Sequence, residues 1–122
     1  VEAAQIEEVC AALRADASLA GAILATRSVD TLKLVEGNTI VATPDRSFYW
    51  AAQTPQVFTR RALWSAHRAA EREGYQGTDD ASIVERLGGR VCVVESTRDN
   101  LKVTLPEDLA LAEATLERRL LG

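Results

Sequence analysis

Apolar positions along the 122-residue chain change period several times, and each change marks an element. Residues 2 to 15 place Ala3, Ile6, Val9, Cys10 and Leu13 on one stripe with Glu and Arg opposite, which predicts an amphipathic helix. Residues 21 to 26, a short apolar run after a glycine, predict a buried strand. Two alternating runs, 31 to 35 and 39 to 43, flank Glu36-Gly37-Asn38 and predict a hairpin, with Gly37 and Asn38 supplying positive φ in the turn. The hairpin is only half apolar, and a two-stranded ribbon is marginal alone in water. It has to lie against something, such as a second subunit.

Helical period returns from about 60 to 73, with Thr59 as N-cap and Gly74 as stop. Thr78 then caps a shorter helix that carries Asp79 and Asp80 in its first turn. Residues 90 to 95 predict a buried strand, and Leu101 to Thr104 a second one that runs directly into a last helix. That helix has the apolar stripe Leu105, Leu109, Ala112, Leu116 and Leu120, and Thr104 and Glu107 have the spacing of a capping box. The order α, β, hairpin, α, α, β, β, α predicts an α/β fold whose sheet is covered by helices.

Composition narrows the class. Hydrophobic content of 47% and charged content of 26% suit one soluble domain that buries a core without metal or disulfide. No apolar run is long enough for a membrane span, and the net charge of −4 argues against nucleic acid or an anionic membrane as partner. Cys10 and Cys92 fall in apolar patterns and read as buried reduced thiols of a cytoplasmic protein. His67 is the only histidine, reads as a surface residue, and no metal-ligand spacing is present.

Three stretches could carry chemistry. Residues 48 to 58, FYWAAQTPQVF, hold both phenylalanines, a tyrosine and a tryptophan around Gln53, Thr54 and Gln56. Pro55 keeps Thr54 out of α geometry, so its hydroxyl is fixed before a ligand arrives, while the aromatics pin the loop to the core. A structural turn explains the same residues. In DNLKVTLPED, a strand would point Asn100, Lys102 and Thr104 to one face at its carboxyl end, beside a helix start with free N–H groups. That suits a phosphate, and equally a solvated lysine next to a helix cap. Arg46, after the Pro44 turn, can grip phosphate with two nitrogens or pair with Asp45 at the surface.

Together DTLK, DRSFYWAAQTPQVF, TDDASIVERLGG and DNLKVTLPEDLALAEATL resemble, in this order and spacing, the C-terminal half of the 2-C-methyl-D-erythritol 4-phosphate cytidylyltransferase family. The resemblance runs from about Gly21 to Leu116. It implies a partial Rossmann-like nucleotidyltransferase fold with the hairpin, about 31 to 44, projecting as a dimerisation arm. It implies CMP transfer from CTP to a polyol phosphate in isoprenoid biosynthesis, by a cytoplasmic homodimer. Arg46 and Lys102 would position the substrate phosphate, and Thr31, Thr54 and Thr104 would line the same region. The family's glycine-rich CTP loop and the aspartate segment for Mg²⁺ have no match in these residues. The expectation is therefore a C-terminal part, poor as an enzyme alone, with the CTP-binding half absent. Ribitol-5-phosphate cytidylyltransferases share QTPQ, TD and KVT, so that acceptor stays open. So does a non-catalytic module that keeps only the arm and a phosphate pocket.

Overall fold

The computed structural model describes the whole chain, Val1 to Gly122. Helix α1 (Ala3–Ala15) starts where the Glu2 N–H donates to the Gln5 side chain at 2.8 Å. It delivers Val9 onto strand β1 (Gly21–Arg27), where Val9, Ala22 and Leu24 are all fully buried. Ala22 and Leu24 share one face of the strand by its period of two, so α1 closes that face. Ala12, Leu13, Val57, Cys92 and Val94 complete this core, and both cysteines are free and half-buried.

The main sheet has the order β4-β1-β5. Strand β5 (Val91–Glu95) runs parallel to β1, from Gly21 opposite Val91 to Ala25 opposite Glu95. Strand β4 (Trp50–Phe58) runs antiparallel to β1, from Gly21 opposite Phe58 to Arg27 opposite Trp50. A β-carbon on Gly21 would come within 2.3 Å of the Phe58 ring, so the residue has to be glycine for the two strands to close. At the other end Arg27 joins all three strands. Its guanidinium lies 4.7 Å from the centre of the Trp50 ring, and its Nε meets Glu95 at 3.2 Å.

Strand β4 corrects the sequence expectation of a loop. Its amides and threonine are tolerated because it is an edge strand, with one side unpaired. The aromatics do not all pin it. Phe48 is 82% exposed and Tyr49 stays outside, so Trp50 and Phe58 alone do that work. The ladder is also interrupted. Between Ile23 opposite Gln56 and Ala25 opposite Ala52, β1 has only Leu24 while β4 has residues 53 to 55. The excess bows out of the sheet as a bulge, at the proline that has no N–H to give the ladder. The Thr54–Pro55 peptide is cis.

The strand expected at 101 to 104 does not form. The chain after β5 turns back toward β4 as an extended loop, and it meets that edge strand through the Asn100 side chain rather than through a backbone ladder. Helix α2 (Arg60–Glu73) is capped by Thr59, whose hydroxyl accepts from the Ala62 N–H, and ends at Gly74. It packs through Ala66, Ala69 and Ala70 beside α3 (Asp80–Arg86), which buries Ala81 and Val84. His67 is exposed and meets Asp80 at 2.8 Å, and Arg86 pairs with Glu73 across the same seam.

Two elements stand apart from this body. Strands β2 (Leu34–Glu36) and β3 (Thr39–Ala42) form a separate ribbon in which every residue is exposed. Its turn uses a positive φ at Gly37 alone, so Asn38 does not share it as expected. Helix α4 (Pro106–Leu121) leaves its stripe open, with Leu105, Leu109, Leu116 and Leu120 exposed. It is tied back by Arg118 to Asp99 at 2.6 Å and by Arg119 to the Asp99 carbonyl at 3.1 Å. No helix is long and apolar enough to cross a membrane.

Candidate functional site

The bulge in β4 builds one wall of a cavity of about 510 Å³. Its other walls are the start of α3 and the loop from Asn100 to Lys102. Asn100 is only 7% exposed. Its Nδ2 donates to the Thr54 carbonyl at 2.7 Å and to Gln53 Oε1 at 3.2 Å. Gln53 Nε2 in turn donates to the Thr97 carbonyl at 3.0 Å. A buried amide satisfied in this way holds the loop against the strand, since leaving it unpaired would cost about 1–3 kcal/mol.

On the opposite side Gln56 reaches α3. Its Nε2 donates to Asp79 Oδ2 at 3.0 Å, and its Oε1 accepts from the Ala81 N–H at 3.3 Å. Asp79 is the N-cap of α3, with Oδ1 accepting from the Ser82 N–H at 2.8 Å. Burial pushes the Asp79 carboxyl up, but the hydrogen bonds from Gln56 and Ser82 outweigh it and hold the group below the ordinary carboxylate range. This corrects the expected cap at Thr78. With Asp79 in that role, the Thr78 hydroxyl is left on the cavity wall.

Of the residues expected from sequence, Thr54 and Lys102 line this cavity together. Lys102 is exposed, is the one cation among the lining residues, and forms no ion pair with a carboxylate. Thr104, Arg46 and Thr31 are not among the lining residues. Thr104 does not cap α4 with Glu107. Instead Asp108 reaches back, its Oδ2 accepting from the Thr104 N–H at 3.0 Å and the Leu105 N–H at 2.8 Å. Those two bonds hold the Asp108 carboxyl low. Pro106 follows with no N–H of its own, so this helix start presents fewer free N–H groups to a phosphate than the sequence suggests. Arg46 lies in a short 3₁₀ turn, 46 to 48, and donates to the Val29 carbonyl at 3.0 Å. Thr31 is exposed at the base of the ribbon.

The cavity does not fit a divalent metal. No three His, Cys, Asp or Glu side chains converge anywhere in the chain, and both oxygens of Asp79 are already engaged. What it offers is one cation, two hydroxyls and a set of fixed amides: the means to hold an anionic, hydroxyl-bearing molecule.

A family model described as IspD, 2-C-methyl-D-erythritol 4-phosphate cytidylyltransferase, matches residues 1–118. The chain belongs to that family. The IspD relatives include proteins of that name from Geobacter metallireducens, 47% identical over 82% of this chain, and Geobacillus thermodenitrificans, 50% identical over 81%. Each is covered over only 43% of its own length, so the chain spans under half of these relatives. Crystal structures of the enzymes of that name from Thermus thermophilus and Francisella tularensis superpose with TM-scores of 0.78 and 0.82, at 34% and 32% identity. They match 96% and 94% of this chain and 56% and 54% of theirs. The α/β architecture with a mixed sheet is thus that of the IspD structures.

Sequence reasoning missed Thr78 and Asp79 as parts of the site, because Thr-Asp-Asp offers two possible caps and pattern alone does not choose. It also missed that Asn100, Gln53 and Gln56 work on the protein itself. Their pairing across 47 and 23 residues leaves no local periodicity.

Proposed function

We propose that the protein carrying this chain transfers CMP from CTP to 2-C-methyl-D-erythritol 4-phosphate and releases pyrophosphate. In this reading the 122 residues are the C-terminal, polyol-phosphate part of a single cytidylyltransferase domain. Family membership supports the reaction, and favours the methylerythritol phosphate over ribitol 5-phosphate. The observation that carries the reading is Lys102, an unpaired cation on a cavity otherwise lined by hydroxyls and amides.

In the reaction an oxygen of the polyol phosphate attacks the α-phosphorus of CTP. The bond from that phosphorus to the bridging oxygen breaks, and pyrophosphate leaves with the electron pair. Both reactants are anions, so the protein's task is to hold them in line against their repulsion. Lys102 neutralises the acceptor phosphate, while Thr54 and Thr78 face its hydroxyls. A divalent cation such as Mg²⁺ would neutralise charge on the triphosphate, and since no three metal-ligating side chains converge among these residues, its ligands would come from elsewhere in the protein. The enzyme works in the cytoplasm.

Arg46 joins this site from a second copy. Thr54 lies about 13 Å along β4 from Trp50, at the rise of a strand, and Arg46 precedes Trp50 by a further four residues. On its own chain Arg46 is turned to the Val29 carbonyl and does not line the cavity. The ribbon beside it exposes Leu34, Val35, Ile40 and Val41, each about half open. A two-fold dimer that seats each ribbon on the other body covers those residues and brings Arg46 and Thr31 to the partner's cavity.

Arg46→Ala and Lys102→Ala, each made in the natural-length protein, should lower kcat/KM for the polyol phosphate about 30- to 1000-fold, by loss of a charge-assisted phosphate contact. CTP use should change far less. Mixing the two inactive variants should restore about a quarter of wild-type activity, since half the dimers are mixed and each has one intact site. No recovery on mixing would place Arg46 outside a shared site. Near-wild-type kinetics for Lys102→Ala would remove the substrate reading itself. Calorimetry separates the non-catalytic alternative: the 122 residues alone should not bind CTP with Mg²⁺, and micromolar affinity would contradict the division of labour.

A further inference from the structure

Two carbonyls of the bulge at residues 53 to 55 are bonded by side chains. The Thr54 carbonyl accepts from Asn100, and the Gln53 carbonyl accepts from Gln56 Nε2 at 3.3 Å. Gln53, the first residue of the bulge, and Gln56, just after it, then reach to opposite walls of the cavity. Gln53 engages Asn100 and the Thr97 carbonyl, on the loop that carries Lys102. Gln56 engages Asp79 and the Ala81 N–H, on the turn that carries Thr78. Asn100 also holds the first of these segments to the Thr54 carbonyl, Arg118 and Arg119 hold Asp99, and Asp108 holds the Thr104 and Leu105 N–H groups, which leaves the stretch around Lys102 between them. Leu101 is half-buried, residues 102 to 105 are exposed, and the strand that would have fixed them in the sheet is absent.

We infer that Gln53 and Gln56 are positioning residues that set the width of the cavity, Gln53 by fixing the Lys102 loop and Gln56 by fixing Thr78. An amide suits both places because each glutamine must donate and accept at once. Gln53 gives a proton to Thr97 and takes one from Asn100, and Gln56 gives to Asp79 and takes from Ala81. A carboxylate at either position lacks the donor, and at 56 it would also stand against Asp79. The bulge is therefore the reference point from which the charge and the hydroxyl are both measured. The assignment rests on the cavity being the polyol-phosphate site only for its kinetic consequence, and not for its mechanical one.

Gln53→Met and Gln56→Met keep volume and remove the bonds. In the natural-length protein, exchange of the Asn100 amide, held on the same Thr97 carbonyl that Gln53 bonds, should speed up about 10-fold in Gln53→Met, with 80 to 84 unchanged, and the reverse should hold in Gln56→Met. Each should raise KM for the polyol phosphate about 5- to 10-fold while KM for CTP holds. If a methionine variant does not fold, Gln53→Asn and Gln56→Asn shorten the reach by one carbon, and about 3-fold effects in the same segments are expected. Unchanged exchange in both segments, or exchange raised equally across α1 and β1, would overturn the inference. Segment-specific exchange together with an unaffected Lys102→Ala enzyme would support the positioning role and remove the substrate reading.

Discussion

The body around β1 and the ribbon from Leu34 to Ala42 contain similar residues and have opposite fates. Both are strands rich in β-branched and aliphatic side chains. In the body, Ala22 and Leu24 are sealed by α1, with Val57, Cys92 and Val94 packed around them. In the ribbon, Leu34, Val35, Ile40 and Val41 stand in solvent with one partner strand each. Alternation fixes that a strand forms, but not what covers it. Three strands and a helix are self-sufficient, whereas two strands need a surface from elsewhere. Stability should therefore respond to changes in the body, and association to changes in the ribbon.

The largest effect should come from Leu24→Ala. Leu24 is fully buried in the centre of the core, opposite the bulge, and its loss should lower unfolding free energy by about 2–5 kcal/mol. Denaturant titration measures this, and in the fraction still folded the affinity of the proposed dimer should stay near wild type. A cost under about 0.5 kcal/mol, the level of an ordinary surface change, would show that the body is not held by this core.

Ile40→Ser should do the converse. Ile40 is 57% exposed within one chain, so the body has little to lose. If a second copy covers it, about 1.5–3 kcal/mol of burial is at stake, or about a 10- to 100-fold weaker dimer by sedimentation. Gly37→Ala, which strains the positive φ of the turn, should weaken the dimer in the same direction. A strict monomer before any substitution would break the comparison, because the ribbon would then have no cover at all.

The body was largely legible in the sequence and the site only in part, for a common reason. α1, β1 and α2 follow one period each, so their bounds came out within a residue or so. At β4 the sequence suggests a loop because the bulge breaks the alternation at Gln53 to Pro55, and at Leu101 to Thr104 it suggests a strand because alternation alone imitates one. Lys102 and Thr54 were visible as chemistry without a partner. That they meet depends on the Asn100 bonds to Gln53 and Thr54, across 47 and 46 residues, and that Thr104 gives its N–H to Asp108 is a choice between neighbouring acids that spacing alone does not make. Where the chain is locally consistent it can be read, and where β4 gives up its ladder to build a wall it cannot.

The smallest effect expected is on pH, at the wall built by Gln56. Asp79 is held below its ordinary value of 3.8 in the folded protein: burial raises it, and the bonds from Gln56 and Ser82 lower it further. An unfolded chain therefore takes up this proton at higher pH than the folded one. The stabilisation that Asp79 brings is fully present above pH 3.8 and fades as pH falls through the lower folded value. Asp108, Asp16 and Asp45 are depressed in the same direction, so a global melting curve cannot isolate Asp79. The local readout can. Protection of the Ala81 and Ser82 amides, taken against the intrinsic exchange rate at each pH, should fall as pH drops below 3.8, ahead of that of the β1 amides. Asp79→Asn keeps a capping side chain without a titrating proton and should abolish that early fall, whereas Asp79→Ala should loosen the turn at every pH, by about 0.5–2 kcal/mol. If Asp79→Asn still shows the early acid step, the titrating group lies elsewhere, and the Gln56 contact is a cap alone rather than part of a charged wall.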